Sequence, residues 1–142
     1  MSSAIFIVWK DEYSVGNAVF DRDHQQIISI INDLYSAIRK RSAENIMSEV
    51  IQRLFEYTKS HFSREEQILK ESKFPHFIEH KAIHDKMVIK TGELRRLRLH
   101  QEDVANEALA LLKNWWLNHI RVMDVQYRPF VGNKVAGDNF AR

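Results

Sequence analysis

The sequence predicts an all-α fold, an antiparallel up-down-up-down four-helix bundle with an N-terminal extended arm. Three observations carry that prediction. Glycine and proline are scarce, four and two among 142 residues, while Leu, Ile, Glu, Lys and Arg are plentiful. Apolar residues recur at three- and four-residue spacing through four long segments. The links between those segments are short and polar, which makes successive helices antiparallel neighbours. A chain of this length supports one domain with a full core, read as an arm over 1–20, a bundle over about 21–127 and a tail over 128–142.

In the arm, Ile5, Ile7 and Trp9 alternate with other residues, Trp9 is expected to pack on the core, and Gly16-Asn17 signals a turn. The first helix is expected from about Asp21 to Arg39, with its buried stripe at Ile27, Ile28, Ile31, Leu34, Tyr35 and Ile38 and with His24 at its start. Ser42 offers an N-cap for a second helix from about Ala43 to Glu71. Its stripe is Met47, Val50, Leu54, Thr58, His61, Glu65 and Ile68 or Leu69, and Pro75 disfavours helix at the residue before it. The third helix, about His76 to Leu99, buries Phe77, His80, His84, Met87, Thr91 and Leu94. Its outer face of Lys81, Lys86, Lys90, Arg95, Arg96 and Arg98 reads as solvated, and Gly92 has no explanation at this level. Asp103 is the expected N-cap of a fourth helix, about Val104 to Tyr127, with the stripe Val104, Ala108, Leu111, Trp115, His119 and Val122. The tail, with Pro129, Gly132 and Gly137, reads as irregular.

Composition removes several function classes. With no cysteine there is no disulfide, zinc thiolate, iron–sulfur cluster or Cys nucleophile, so any metal must be held by nitrogen and oxygen. A net charge of +2 is too small to point to nucleic acid. The apolar run Ala4 to Trp9 lacks a basic start and a cleavage site, and no run reaches the length of a membrane span. The expectation is a cytoplasmic protein with no nucleic-acid partner and no membrane insertion.

The histidines then stand out. His61 and Glu65 are four apart, as are His80 and His84, so each pair shares one helix face. In an antiparallel bundle, His24 at the start of the first helix, His61 and Glu65 late in the second, His80 and His84 early in the third and His119 late in the fourth reach the same level. Leaving that many imidazoles buried and unpaired would cost about 1–3 kcal/mol each, so a shared metal is the economical explanation. His76 and His100 fall in links or off the stripes and read as surface residues. Glu66 and Asp85 each follow an on-face ligand type by one residue, about 100° around, and read as solvated. Asp124 is five residues after His119, about 140° around a regular helix, and periodicity does not select it.

Together, His24 after Asp21-Arg22-Asp23, HFSREE at 61–66, HKAIH at 80–84 and HIRVMD at 119–124 resemble the hemerythrin family, in particular its single-domain bacterial members. The resemblance spans roughly residues 9–130. It implies two iron ions held by His24, His61, Glu65, His80, His84, His119 and Asp124, with Glu65 and Asp124 as bridging carboxylates. Two octahedral irons offer about twelve positions. The histidines fill five, the carboxylates four and an oxo or hydroxo bridge two, which leaves one position open.

The implied function is reversible dioxygen binding for storage or delivery, not an enzymatic one, and delivery would call for a protein that accepts the O2. The alternatives are O2 or nitric oxide sensing through a partner, or a di-iron redox enzyme. No Glu in the chain is followed by His three positions later, unlike the ferritin-like oxidase pattern. Lys81 stands where a zincin's catalytic Glu belongs. A phosphotransfer bundle would need an exposed histidine on a helix instead of a buried cluster. The family commonly has Trp-Leu where this chain has Trp115-Trp116 before Leu117-Asn118-His119. The O2 pocket is expected at Ile28, Trp115 and Trp116, with Ile31 and Leu111 helping to exclude water. Trp116 would narrow access if it faces the pocket, and the resemblance does not fix which side it faces.

Overall fold

The computed structural model describes residues 6–132, so Ile5 of the arm and Gly137 of the tail lie outside the described residues. Four long helices form the bundle: α1 (Ala18–Arg39), α2 (Glu44–Glu71), α3 (Phe77–Glu93) and α4 (Glu102–Asn118). The path of α4 continues as a π-helical turn, His119–Met123, a 3-10 turn, Asp124–Tyr127, and a four-residue helix α5 (Arg128–Val131). Among the described residues there is no strand, and no helix is long and apolar enough to cross a membrane.

α1 begins earlier than the sequence suggested because Asn17 caps it, its Oδ1 accepting from the Phe20 N–H at 3.0 Å. Asp21 is thereby freed for another task. It accepts from the Ser14 hydroxyl at 2.6 Å and the Val15 N–H at 2.8 Å, tying the arm to α1. The arm is not uniformly extended: Asp11–Tyr13 form a 3-10 turn. Ile7 is buried, and its main chain exchanges two 2.8 Å bonds with the Asn32 side chain. The tail is not wholly irregular either, since Pro129 sits in the first turn of α5.

Two expected caps are displaced. Ala43 occupies the N-cap of α2 and Gln101 that of α4, neither with a side-chain bond. Glu102 and Asp103 lie in the first turn of α4, where their charge favours the helix dipole. The C-termini of α1 and α2 share one device. Arg41 and Lys73 take left-handed backbone, φ +52° and +56°. In the second case Phe74 N–H donates to the Leu69 carbonyl at 3.0 Å and Lys73 N–H to the Lys70 carbonyl at 3.1 Å. That pair of bonds is a Schellman motif, usually built with glycine. α3 ends at Glu93, before a 3-10 turn over Leu94–Arg96, and so stops short of Leu99. Gly92 now has a cause: a Cβ there would meet the Phe55 ring at 3.2 Å, so its absence lets α2 and α3 approach.

The expected stripes of the first three helices point inward, with Ile51 joining Met47 and Leu54 in the core while Val50 is half-buried. The fourth does not follow its expected face. Leu111 and Val122 are 43% and 50% exposed, and Ala105, Leu109, Leu112, Trp116 and Ile120 are buried instead. Ala108 and His119 are buried as expected but sit at the edge shared with the true face, which is rotated by roughly 80°. The order is the same along α2 and the α4 path, and along α1 read from its C-terminal end. Apolar residues of the main core give way to polar ligand-type side chains, then to a second apolar cluster of Phe20, Ile68, Leu69, Phe74, Tyr127 and Val131. The polar level is thus sealed between two hydrophobic layers.

Candidate metal centre

Regular helix explains the placement of His24, His61, Glu65, His80, His84 and His119, while a departure from it explains Asp124. Within the π turn the Asp124 N–H donates to the His119 carbonyl, five residues back. A π turn takes roughly 4.4 residues, so five residues advance only about 50° past a full turn. Asp124 therefore comes round beside His119 rather than away from it. All seven side chains are buried, none more than 2% exposed.

The geometry divides them in two. Glu65 Oε2 faces His61 Nε2 at 3.1 Å and His24 Nε2 at 3.7 Å, and Asp124 Oδ2 faces His24 Nε2 at 3.1 Å. Glu65 Oε1 faces His80 Nε2 at 3.0 Å and His84 Nε2 at 3.1 Å. Asp124 Oδ1 faces His80 and His119, each at 3.0 Å. Each carboxylate thus spends one oxygen on the His24–His61 group and the other on the His80–His84–His119 group. Within each group, carboxylate oxygens included, the potential ligand atoms lie within 4.8 Å of one another.

This donor set fits metal ions better than it fits itself. His24 Nε2, His61 Nε2 and both Asp124 oxygens have no hydrogen bond although other polar atoms are about 3 Å away. They are close but misaligned, as atoms aimed at a common point would be. His84 and His119 bring two Nε2 atoms to 3.1 Å. Metal–imidazole bonds of roughly 2.1 Å at right angles would set neighbouring ligand atoms about 3.0 Å apart. Two buried carboxylates also call for positive charge. Without a metal, protons supply it. Burial alone would lower His24 and His80, but the Asp124 and Glu65 carboxylates hold them up at about 9 and about 10. Burial would raise Glu65 and Asp124, yet the surrounding histidines keep both well below the usual carboxylate range. His119 is the exception: its burial outweighs the nearby Asp124 and lowers it.

An outer layer orients the imidazoles. Asp23 accepts from His61 Nδ1 at 2.9 Å, from Arg64 Nε at 3.1 Å and from the Tyr57 hydroxyl at 3.0 Å. Burial would raise its carboxyl, but these donors hold it below its ordinary value. Glu66 performs the same service for His84 Nδ1 at 2.8 Å. This corrects the expectation that Glu66 is solvated: it is rotated off the His61–Glu65 face, but onto α3. The Tyr127 hydroxyl donates to Glu65 Oε2 at 2.9 Å, a partner that sequence reasoning missed. His76 and His100 are 66% and 58% exposed and stand away from the cluster, as expected.

Of the three pocket residues, Ile28 is buried and Trp115 half-buried. Trp116 is fully buried, its ring stacked on Phe62 at 5.5 Å and 6.3 Å from the rings of both His61 and His119. Trp116, not the more outward Trp115, is the tryptophan seen against the site histidines, and the exposed Leu111 cannot help seal it.

Residues 15–131 match the profile of the hemerythrin HHE cation binding domain. A bacteriohemerythrin of Stenotrophomonas maltophilia is 33% identical over 136 residues, covering 96% of this chain and 87% of that one. A myohemerythrin of Sipunculus nudus is 28% identical over 121 residues, with 85% and 90% covered. A wild-type hemerythrin crystal structure superposes with a TM-score of 0.79 at 24% identity, over 89% of this chain and 98% of the other.

Proposed function

This chain belongs to the hemerythrin family, and we propose that its buried cluster holds two iron ions and binds dioxygen reversibly, for storage or delivery. The observation that carries the proposal is the division of both carboxylates between two unequal histidine groups. In this reading His24 and His61 would hold one iron, His80, His84 and His119 the other, and Glu65 and Asp124 would be shared between them. With a further bridging oxygen, as the family resemblance implies, the three-histidine side would be filled and the two-histidine side would keep one open position. The irons, when bound, supply the electrons that reversible dioxygen binding requires.

The chain's own residues do the rest. Asp23 and Glu66 keep the His61 and His84 protons on Nδ1, so that each Nε2 lone pair faces inward. Tyr127 fixes one oxygen of Glu65. Phe20, Phe62 and Trp116 pack against the histidines and exclude water, which disfavours irreversible oxidation. Residues 1–142 form one domain in this reading, with arm, bundle and tail around a single site.

The test is optical. Protein purified from iron-replete cells should carry about two irons per chain, and a visible band should appear with O2 and vanish under vacuum, without consuming reductant. Protein free of iron would sink the di-iron assignment. Steady consumption of a reductant with O2 would replace oxygen binding with a redox enzyme.

A further inference from the structure

Two buried polar groups beside the cluster have no use in the function just proposed. The Trp116 indole N–H and the Thr58 hydroxyl lack hydrogen-bond partners among the described residues, and both side chains are fully buried. Thr58 lies three residues before His61 and Trp116 three before His119, so each is about one turn from a ligand-type residue on its own helix. Thr91 shows what a buried helical threonine ordinarily does: its hydroxyl donates to the Met87 carbonyl at 2.8 Å. Thr58 makes no such bond. Buried indoles likewise usually find an acceptor, because leaving the donor unmade is costly and a phenylalanine would fill similar space without it.

The Trp116 ring meets His61 from one histidine group and His119 from the other. Its other ring neighbour among the described residues is Phe62, which offers no conventional acceptor. Among the described residues nothing supplies the missing acceptor, and a bound guest would. Beside this ring the coordination count leaves one place for such a guest, on the His24–His61 side.

We propose that the Trp116 Nε1–H donates a hydrogen bond to the small ligand that enters that open position, dioxygen or an anion such as azide, an inference that rests on the di-iron reading above. Trp116 is then a specificity residue. It favours ligands whose outer atom carries negative charge when bound, and the Thr58 hydroxyl makes the α2 side of the same depth polar. A leucine at this position, as the family commonly has, would supply bulk without the donor.

Azide is the probe, titrated into the oxidised, iron-loaded full chain. Trp116→Phe should keep two irons and bind azide roughly 10- to 100-fold more weakly than the parent, the loss expected for one hydrogen bond to a charged group. Independently, ultraviolet resonance Raman on a chain carrying Trp9→Phe and Trp115→Phe reports Trp116 alone. Its indole N–H marker band should shift to the hydrogen-bonded position when azide binds. Azide affinity in Trp116→Phe within about twofold of the parent, or an unshifted band, overturns the proposal. Each measurement decides without the other, so failure of one variant to fold leaves the second in force. A parent chain that takes up no iron or no azide fails at the di-iron reading instead, and takes this inference with it.

Discussion

Asp23→Asn separates holding a metal from orienting the histidine that would hold it. Asp23 is 5% exposed and accepts from His61 Nδ1 at 2.9 Å while Arg64 and Tyr57 fix its other contacts. Its charge keeps the His61 proton on Nδ1 and leaves Nε2 free to bind. Asparagine has nearly the same shape, but its amide can donate to Nδ1 and so favour the tautomer with the proton on Nε2. Metal binding must then reverse that tautomer and forgo a charge-assisted bond worth about 1.5–3 kcal/mol. That corresponds to roughly 10- to 100-fold in affinity, the range typical of lost outer-layer partners. The assay is anaerobic competition for ferrous iron with a chromophoric chelator. One iron of the two should weaken and the other stay near its parent affinity, because His80, His84 and His119 do not contact Asp23. Retention of both irons at parent affinity, within about twofold, would mean that Asp23 merely ties α1 to α2.

Three further outcomes are expected. His119→Ala should lose iron while His100→Ala, whose exposed imidazole bonds to Glu44 at 3.2 Å, should not; equal iron by mass spectrometric metal analysis would refute the site assignment. His24 and His80, held at about 9 and about 10 without metal, carry protons near pH 7, so metal uptake should release them and tighten as pH rises toward 9. Titration calorimetry in buffers of different ionisation enthalpy reads that release, and identical heats in all buffers would count against it. Lys73→Gly relieves a left-handed backbone at φ +56° and should raise stability by about 0.5–1 kcal/mol in urea unfolding, with an unchanged or lower midpoint as the contrary result.

How far the sequence reveals the site depends on how regular the backbone is. The meeting of His24, His61, Glu65, His80, His84 and His119 is legible because the first five stand on ordinary helix, where four-residue spacing means a shared face, and His119 directly follows the regular turns of α4. Asp124 is not, because its position depends on one i→i+5 bond that no apolar pattern announces; only family likeness finds it. Glu66 was placed in solvent from the rotation of its own helix. Its partner, His84, belongs to α3, and a bond between helices is invisible to single-helix reasoning. Tyr127 follows an irregular stretch, so its reach to Glu65 could not be read from spacing. The face of α4 is ambiguous for a related reason: Ala108 and His119 lie where the expected and the buried faces overlap, so both fit either rotation.

The π turn at His119–Met123 also bears on how such a chain tolerates length changes. A π turn holds one residue more than the α-helical turn it replaces. Remove one residue from between His119 and Asp124, and the carboxylate would fall four after the histidine, about 40° around an ordinary helix, with the tyrosine seven after it, about 20° to the other side. Histidine, carboxylate and tyrosine would still share a face. Seen this way, the turn absorbs a single-residue insertion without displacing any of the three side chains. Two relatives could therefore differ by a gap at this point and keep the same side chains at the same depth of the bundle.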